Sequence, residues 1–158
     1  MPVDPRLKAP CPATSNGSAW SAFEFIVDLV LADPTNRTRL SNSQRDLLAF
    51  FELRQAINSG GLDSYFRYHG EDGDRVAAAA LAIAGPNLHQ FCSDAVALLG
   101  SSYPEDPSER ESRLEPMEDQ LDDLDRRYYE LEAEETVDDD ADTWVWERRA
   151  DFFGDSPA

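Results

Sequence analysis

Residues 115–135 read EPMEDQLDDLDRRYYELEAEE, and this stretch decides the fold. Met117, Leu121, Leu124, Tyr128 and Leu131 recur at spacings of four and three, the repeat of one buried face of an α-helix. At about 100° per residue, Glu115, Glu118, Asp119, Asp122, Asp123 and Asp125 fall within an arc of roughly 160° opposite that stripe. One helix is therefore expected to have an oily side that anchors it and an anionic side that faces away. Pro116 begins this helix or kinks into it.

The segments on either side read as further helices. Upstream, Asp106-Pro107-Ser108-Glu109 sets out an N-cap, a proline at the first helical position and an acid at the third. Asn87 to Leu99 directs Leu88, Phe91, Cys92, Ala95, Val96 and Leu99 inward, and Gly85-Pro86 separates it from an Ala-rich helix at about 74–84 that is expected to sit centrally. Ser41 and Gln44 open a helix whose face of Leu47, Leu48, Phe50, Phe51, Arg54 and Ile57 runs into Ser59-Gly60-Gly61, a C-terminal stop; an aromatic turn, Leu62 to Tyr68, follows. Ser21 with Glu24 matches a capping box, flanked by Trp20 and Phe25 as a hydrophobic staple, for a helix stopped by Asp33-Pro34. Downstream, the polar break Asp138 to Asp142 precedes a last helix with Trp144, Val145, Arg148, Phe152 and Phe153. No segment alternates as a strand does, so the expected fold is an all-α, single-domain multi-helix bundle over residues 18–158. Residues 1–17, with Pro2, Pro5, Pro10 and Pro12, are expected to be a mobile leader.

Charge is distributed very unevenly. The chain of 158 residues has a net charge of −18, made up of 0 over residues 1–57, −3 over 58–100 and −15 over 101–158. Acidity that serves only hydration, as in salt adaptation or a GC-rich genome, predicts an even spread, whereas clustering points to an interaction surface for something basic. Six carboxylates along about 15 Å of helix axis approach the roughly 3.4 Å of axis per phosphate of one DNA strand. A purely solvated face remains the alternative, because acids at a helix start also serve its dipole.

Other chemistries find little support. Asp138, Asp140 and Asp142 match the first ligand positions of a calcium loop, but Thr143 stands where glycine is required and Arg149 where the closing glutamate belongs, so the run reads as a hydrated loop and not a metal site. His69 and His89 have no metalloprotease spacing, Cys92 lies on an apolar face, and Ser59-Gly60-Gly61 lacks the frame of a phosphate loop; neither catalysis nor a cofactor is expected. With two cysteines, Cys11 and Cys92, no disulfide framework is implied, and free thiols fit a cytoplasmic setting. The most apolar run, Trp20 to Ala32, is interrupted by Glu24 and Asp28, so neither a signal peptide nor a membrane span is expected.

Ser59-Gly60-Gly61-Leu62-Asp63-Ser64-Tyr65-Phe66 resembles the signature Asn-Gly-Gly-Phe-x-Gln-Tyr-Phe of a bacterial family of DNA-mimic proteins. Gly70, Ala80-Leu81-Ala82-Ile83-Ala84-Gly85, Ala95 to Leu99, and Leu121-Asp122-Asp123-Leu124-Asp125 with Tyr128-Tyr129 follow in the family's order, so the resemblance covers roughly residues 40–153. Ser59, Leu62 and Ser64 depart from the signature, while Gly60, Gly61, Tyr65 and Phe66 keep its turn and packing. The resemblance implies a helical fold and a precedent for carboxylates that stand in for phosphates, in a family that includes a dimeric mimic of double-stranded DNA.

These readings combine into one leading expectation: a non-enzymatic mimic that occupies the DNA-binding surface of a basic protein such as a transcription factor and does not itself bind nucleic acid. Glu115, Glu118, Asp119, Asp122, Asp123, Asp125, Glu130, Glu132, Glu134, Glu135, Asp138, Asp139, Asp140 and Asp142 are the candidate partner-binding residues. Two alternatives stay open: an immunity or antitoxin-like inhibitor of a basic toxin or nuclease, and a helical domain whose acidity is solubilising. The aromatic crowding at Trp144, Trp146, Phe152 and Phe153 leads to a homodimer as the expected assembly.

Overall fold

The capping box expected at Ser41 is formed in full: the Gln44 N–H donates to Ser41 Oγ at 3.1 Å, and the Ser41 N–H donates to Gln44 Oε1 at 2.9 Å. A computed structural model describes residues 3–157; Met1, Pro2 and Ala158, at the ends of the expected leader and helical domain, lie outside the described residues. The fold is all-α. Its helices are α1 (Ser18–Ala32), α2 (Asn42–Ser64), α3 (Val76–Ala84), α4 (Pro86–Ala97), α5 (Pro107–Leu114), α6 (Glu118–Glu134), α7 (Val137–Glu147) and the single turn α8 (Arg149–Phe152). The described residues cluster into two compact units, one made of the chain before Ala49 together with the chain from Thr136, the other of Ala49–Glu135.

In the first unit, α1 packs on α7, and β1 (Ala9–Cys11) pairs in parallel with β2 (Phe153–Pro157). The pair corrects the expectation of no strands: β1 has three residues, too few for alternation to register, and β2, Phe-Gly-Asp-Ser-Pro, carries no apolar alternation. It lies partly within the stretch expected as a leader, where Leu7 and Ala9 are buried and the Leu7 carbonyl accepts the Gln44 amide at 2.7 Å. Phe153 accordingly belongs to a strand, not to the last helix, while Phe152 packs edge-on against Trp144 with ring centroids 5.8 Å apart.

Two further corrections fall in this unit. The Asp138–Asp142 run is not a loop but the opening of α7, where Asp138, Asp139 and Asp140 occupy the first turn and meet the positive end of the helix dipole. Asp142, one turn further on, accepts the Gly17 and Ala19 N–H groups at 2.9 Å each. That carboxylate caps α1 from outside its own sequence, so α1 starts at Ser18 and the Ser21–Glu24 box is not its N-terminus.

In the second unit, α3 lies against α4, and α4 against α6. Ala79 and Ala80 are fully buried there, as small side chains at a close helix contact should be, but Leu81 is half-exposed, so α3 is covered on one face and is not central. The stop expected at Ser59-Gly60-Gly61 is a kink: Gly61 has φ 81° and ψ −179°, a conformation open in practice only to glycine. Beyond it the chain makes a π-helical turn, Tyr65–His69. Arg110, almost wholly buried, donates to the carbonyls of Phe66 (2.7 Å), Pro104 (2.9 Å) and Glu105 (2.9 Å), and so ties α5 to that turn and to the preceding loop. The expected N-cap is present, with Asp106 accepting the Ser108 N–H at 3.0 Å.

Candidate functional site

The expected stripe is seated from Leu121 onward, but Glu115–Met117 form a 3-10 turn, so Met117 precedes α6, which begins at Glu118. Leu121 and Tyr128 are buried, Leu124 and Leu131 partly so, and Tyr128 meets Phe91 of α4 with centroids 5.6 Å apart. Anchored in this way, α6 turns Glu118, Asp122 and Asp125 toward the kinked end of α2 and toward α5. Between these elements lies a cleft of about 460 Å³, lined by Asp63, Glu111, Glu115, Glu118, Asp122 and Asp125, with Arg67 as its one cationic side chain.

The structure divides the acids expected on this helix. Glu115, Glu118, Asp122 and Asp125 line the cleft; Asp119 and Asp123 are exposed but outside it, and Asp123 pairs with Arg126 at 3.0 Å. Farther along α6, Glu130 and Glu134 are exposed, whereas Glu132 is drawn in, bridged by Arg54 (2.8 Å) and accepting the Tyr128 hydroxyl at 2.5 Å. Glu135 accepts from the Asn87 amide at 2.7 Å. Asp138, Asp139, Asp140 and Asp142 belong to the first unit, and Asp142 is committed to the α1 cap.

Asp63 and Glu111 complete the cleft and were not among the sequence candidates. Asp63 lies more than 50 residues before α6, and Glu111 lies on α5 about two helical turns of chain before it; neither falls in the periodic pattern that marks the acids of α6. Arg67 joins them, at 3.3 Å from Asp63 and 2.9 Å from Glu111. Asp125 is a special case: its Oδ1 accepts the Leu62 N–H at 2.9 Å. Burial pushes the Asp125 carboxyl above its ordinary value; the Leu62 N–H pulls it down, and the charges of Asp122 and Asp63 push it up again.

Most of the arginines in this unit hold helices together. Arg127 of α6 reaches Asp94 of α4 at 2.6 Å, Arg54 takes Glu132, and Arg113 takes the Leu99 carbonyl together with Glu109. Among the described residues, Glu115, Glu118, Asp119, Asp122, Glu130 and Glu134 enter no ion pair. Nor does any group of three or more His, Cys, Asp or Glu side chains among the described residues converge on a point that would hold a metal ion. The site offers anionic charge spread over a concave surface, not a chelate. His89 is engaged through Nδ1 with the Ala77 carbonyl at 2.8 Å, and Cys92 is buried with its thiol pushed up to about 12. No helix among the described residues is long and apolar enough to cross a membrane.

Fold and site together define an all-α protein with an anionic cleft built around one amphipathic helix. The chain belongs to the DMP19-like protein family, a family of DNA mimics, whose model matches residues 38–148. No curated protein and no solved structure matches it.

Proposed function

We propose that this protein is a non-enzymatic mimic of double-stranded DNA that occupies the DNA-binding surface of a basic protein such as a transcription factor. The observation that carries the reading is the set of exposed, unpaired carboxylates Glu118, Asp119 and Asp122 on a helix fixed by its buried face, with Glu115 on the 3-10 turn that leads into it. Family membership adds the precedent of carboxylates in place of phosphates. In such a complex the partner's Arg and Lys side chains enter the cleft and pair with carboxylates in place of phosphate oxygens. The attraction steers encounter and weakens steeply with salt, because exposed charge pairs are screened over about 8 Å at physiological ionic strength. Glu130 and Glu134 extend the same face toward the end of α6. The protein acts from within the cytoplasm, and a homodimer would present two such surfaces.

The test is a variant carrying Asp119→Asn, Asp122→Asn and Asp123→Asn together. Protein captured on the wild type at low ionic strength and eluted by salt is assayed for release from its own DNA. The wild type is expected to displace it and the variant to fail, while keeping its helical content. The variant should be as stable as the wild type or more so, since each like-charge neighbour pair on a helix costs about 0.2–0.5 kcal/mol. Full displacement by the triple variant would show this to be the wrong surface. Inhibition of a captured toxin or nuclease, without competition for DNA, would favour the immunity reading.

A further inference from the structure

The acids that line the cleft are not equivalent. Asp125 is half-buried, and both its oxygens face the corner of α2: Oδ1 accepts the Leu62 N–H at 2.9 Å, and Oδ2 lies 2.5 Å from where a Cβ on Gly61 would stand. The kink at Gly61 interrupts the helical ladder, and Asp125 supplies an acceptor for the next amide. Leu62 is itself buried, so water is a poor substitute for that acceptor. A carboxylate held in this way offers little of itself to a partner.

We propose that Asp125 is a positioning residue and not a contact residue: it fastens α6 to the Gly61–Leu62 corner of α2, and so sets the spacing between Asp63 on one wall and Glu118 and Asp122 on the other. The assignment rests on the reading of this cleft as the partner-binding surface. Gly61 is the second half of the device, because any larger residue there pushes the carboxylate away. Arg67 secures the remaining wall by joining Asp63 to Glu111 of α5.

Three variants separate position from charge. Asp125→Asn and Asp125→Ala remove the same charge, but only the first keeps an oxygen for the Leu62 N–H. Gly61→Ala removes no charge at all. The readouts are anisotropy of a fluorescein-labelled oligo-arginine peptide at low salt and hydrogen exchange at the Leu62 amide. Asp125→Ala is expected to bind about fivefold more weakly than Asp125→Asn, equivalent to roughly 1 kcal/mol, and to exchange faster at Leu62. Gly61→Ala is expected to bind weakly with its acids intact and its helical content retained. If the triple variant at Asp119, Asp122 and Asp123 loses the peptide while the two Asp125 variants bind equally, the positioning role is overturned and the surface stands. Should Gly61→Ala bind as the wild type does, the role is overturned again. If the triple variant binds the peptide as tightly as the wild type, the surface itself is wrong and the assignment falls with it.

Discussion

Replacing Gly61 with alanine probes the joint between α2 and α6 with a single methyl group. Two costs follow from the geometry. The backbone at φ 81° and ψ −179° lies in a region that residues with a Cβ avoid, which costs about 1–3 kcal/mol. The new Cβ would also stand 2.5 Å from Asp125 Oδ2, so the carboxylate must swing away and release the Leu62 N–H. Leaving a buried donor unsatisfied costs a further ~1–3 kcal/mol. Together these predict a loss of about 2–6 kcal/mol, read as a drop of roughly 4–24 °C in melting temperature for a chain of this size.

A double-mutant cycle separates the two costs. In Gly61→Ala combined with Asp125→Ala, the clash is gone and the bond is already lost, so the double variant should be less damaged than the sum of the singles. The shortfall should be about 1 kcal/mol or more, since residues in direct contact couple by 0.5–3 kcal/mol. The cost of Gly61→Ala in the Asp125→Ala background is then the backbone strain alone. Urea unfolding followed by far-ultraviolet circular dichroism measures all four corners. A loss under about 0.5 kcal/mol for Gly61→Ala, the range of an ordinary surface change, would refute the argument, and so would strict additivity in the cycle.

Asp142→Ala removes an acceptor shared by the Gly17 and Ala19 amides at the start of α1, and should cost about 1–2 kcal/mol, the range of lost N-caps, with faster hydrogen exchange in the first turn of α1 and not in α4. Cys92 is buried, with its thiol pushed up to about 12 by desolvation, whereas Cys11 is partly exposed. A thiol reagent should therefore label the native protein at Cys11 alone and label both residues after denaturation; rapid native labelling of Cys92 would contradict the packing of α4.

Features written in adjacent residues were legible in the sequence. The Ser41–Gln44 box, the Asp106 cap, the Gly85-Pro86 break and the apolar stripe of α6 each need only a short window, and each is present. What the window misses is settled by residues distant in sequence. The start of α1 depends on Asp142, more than 100 positions away, so the local capping signal at Ser21 lost to a tertiary one. The Asp138–Asp142 run reads as a break because aspartate is a poor helix former, but the helix dipole favours it in a first turn. The anionic helix was readable; the cleft was not, since Asp63, Arg67 and Glu111 come from other segments and carry no periodic mark.

The way the arginines are used is the strongest physical argument that the acidity of α6 does something beyond hydration. A fold with this much negative charge gains from spending its few cations on the densest acids. Here Arg126 takes Asp123 within the crowded run and Arg67 takes Asp63 and Glu111, but Arg54, Arg113 and Arg127 are placed at joints within the second unit, on Glu132, on the Leu99 carbonyl with Glu109, and on Asp94, while buried Arg110 donates to carbonyls. Glu118, Asp119 and Asp122 are left crowded at helical spacing, at a cost of about 0.2–0.5 kcal/mol for each neighbouring pair. The same residues could be neutral without harming the buried stripe of Leu121 and Tyr128, so stability does not require them. A cost borne at one face, beside joints that keep that face in place, is the pattern expected when an external cation is to supply the missing charge.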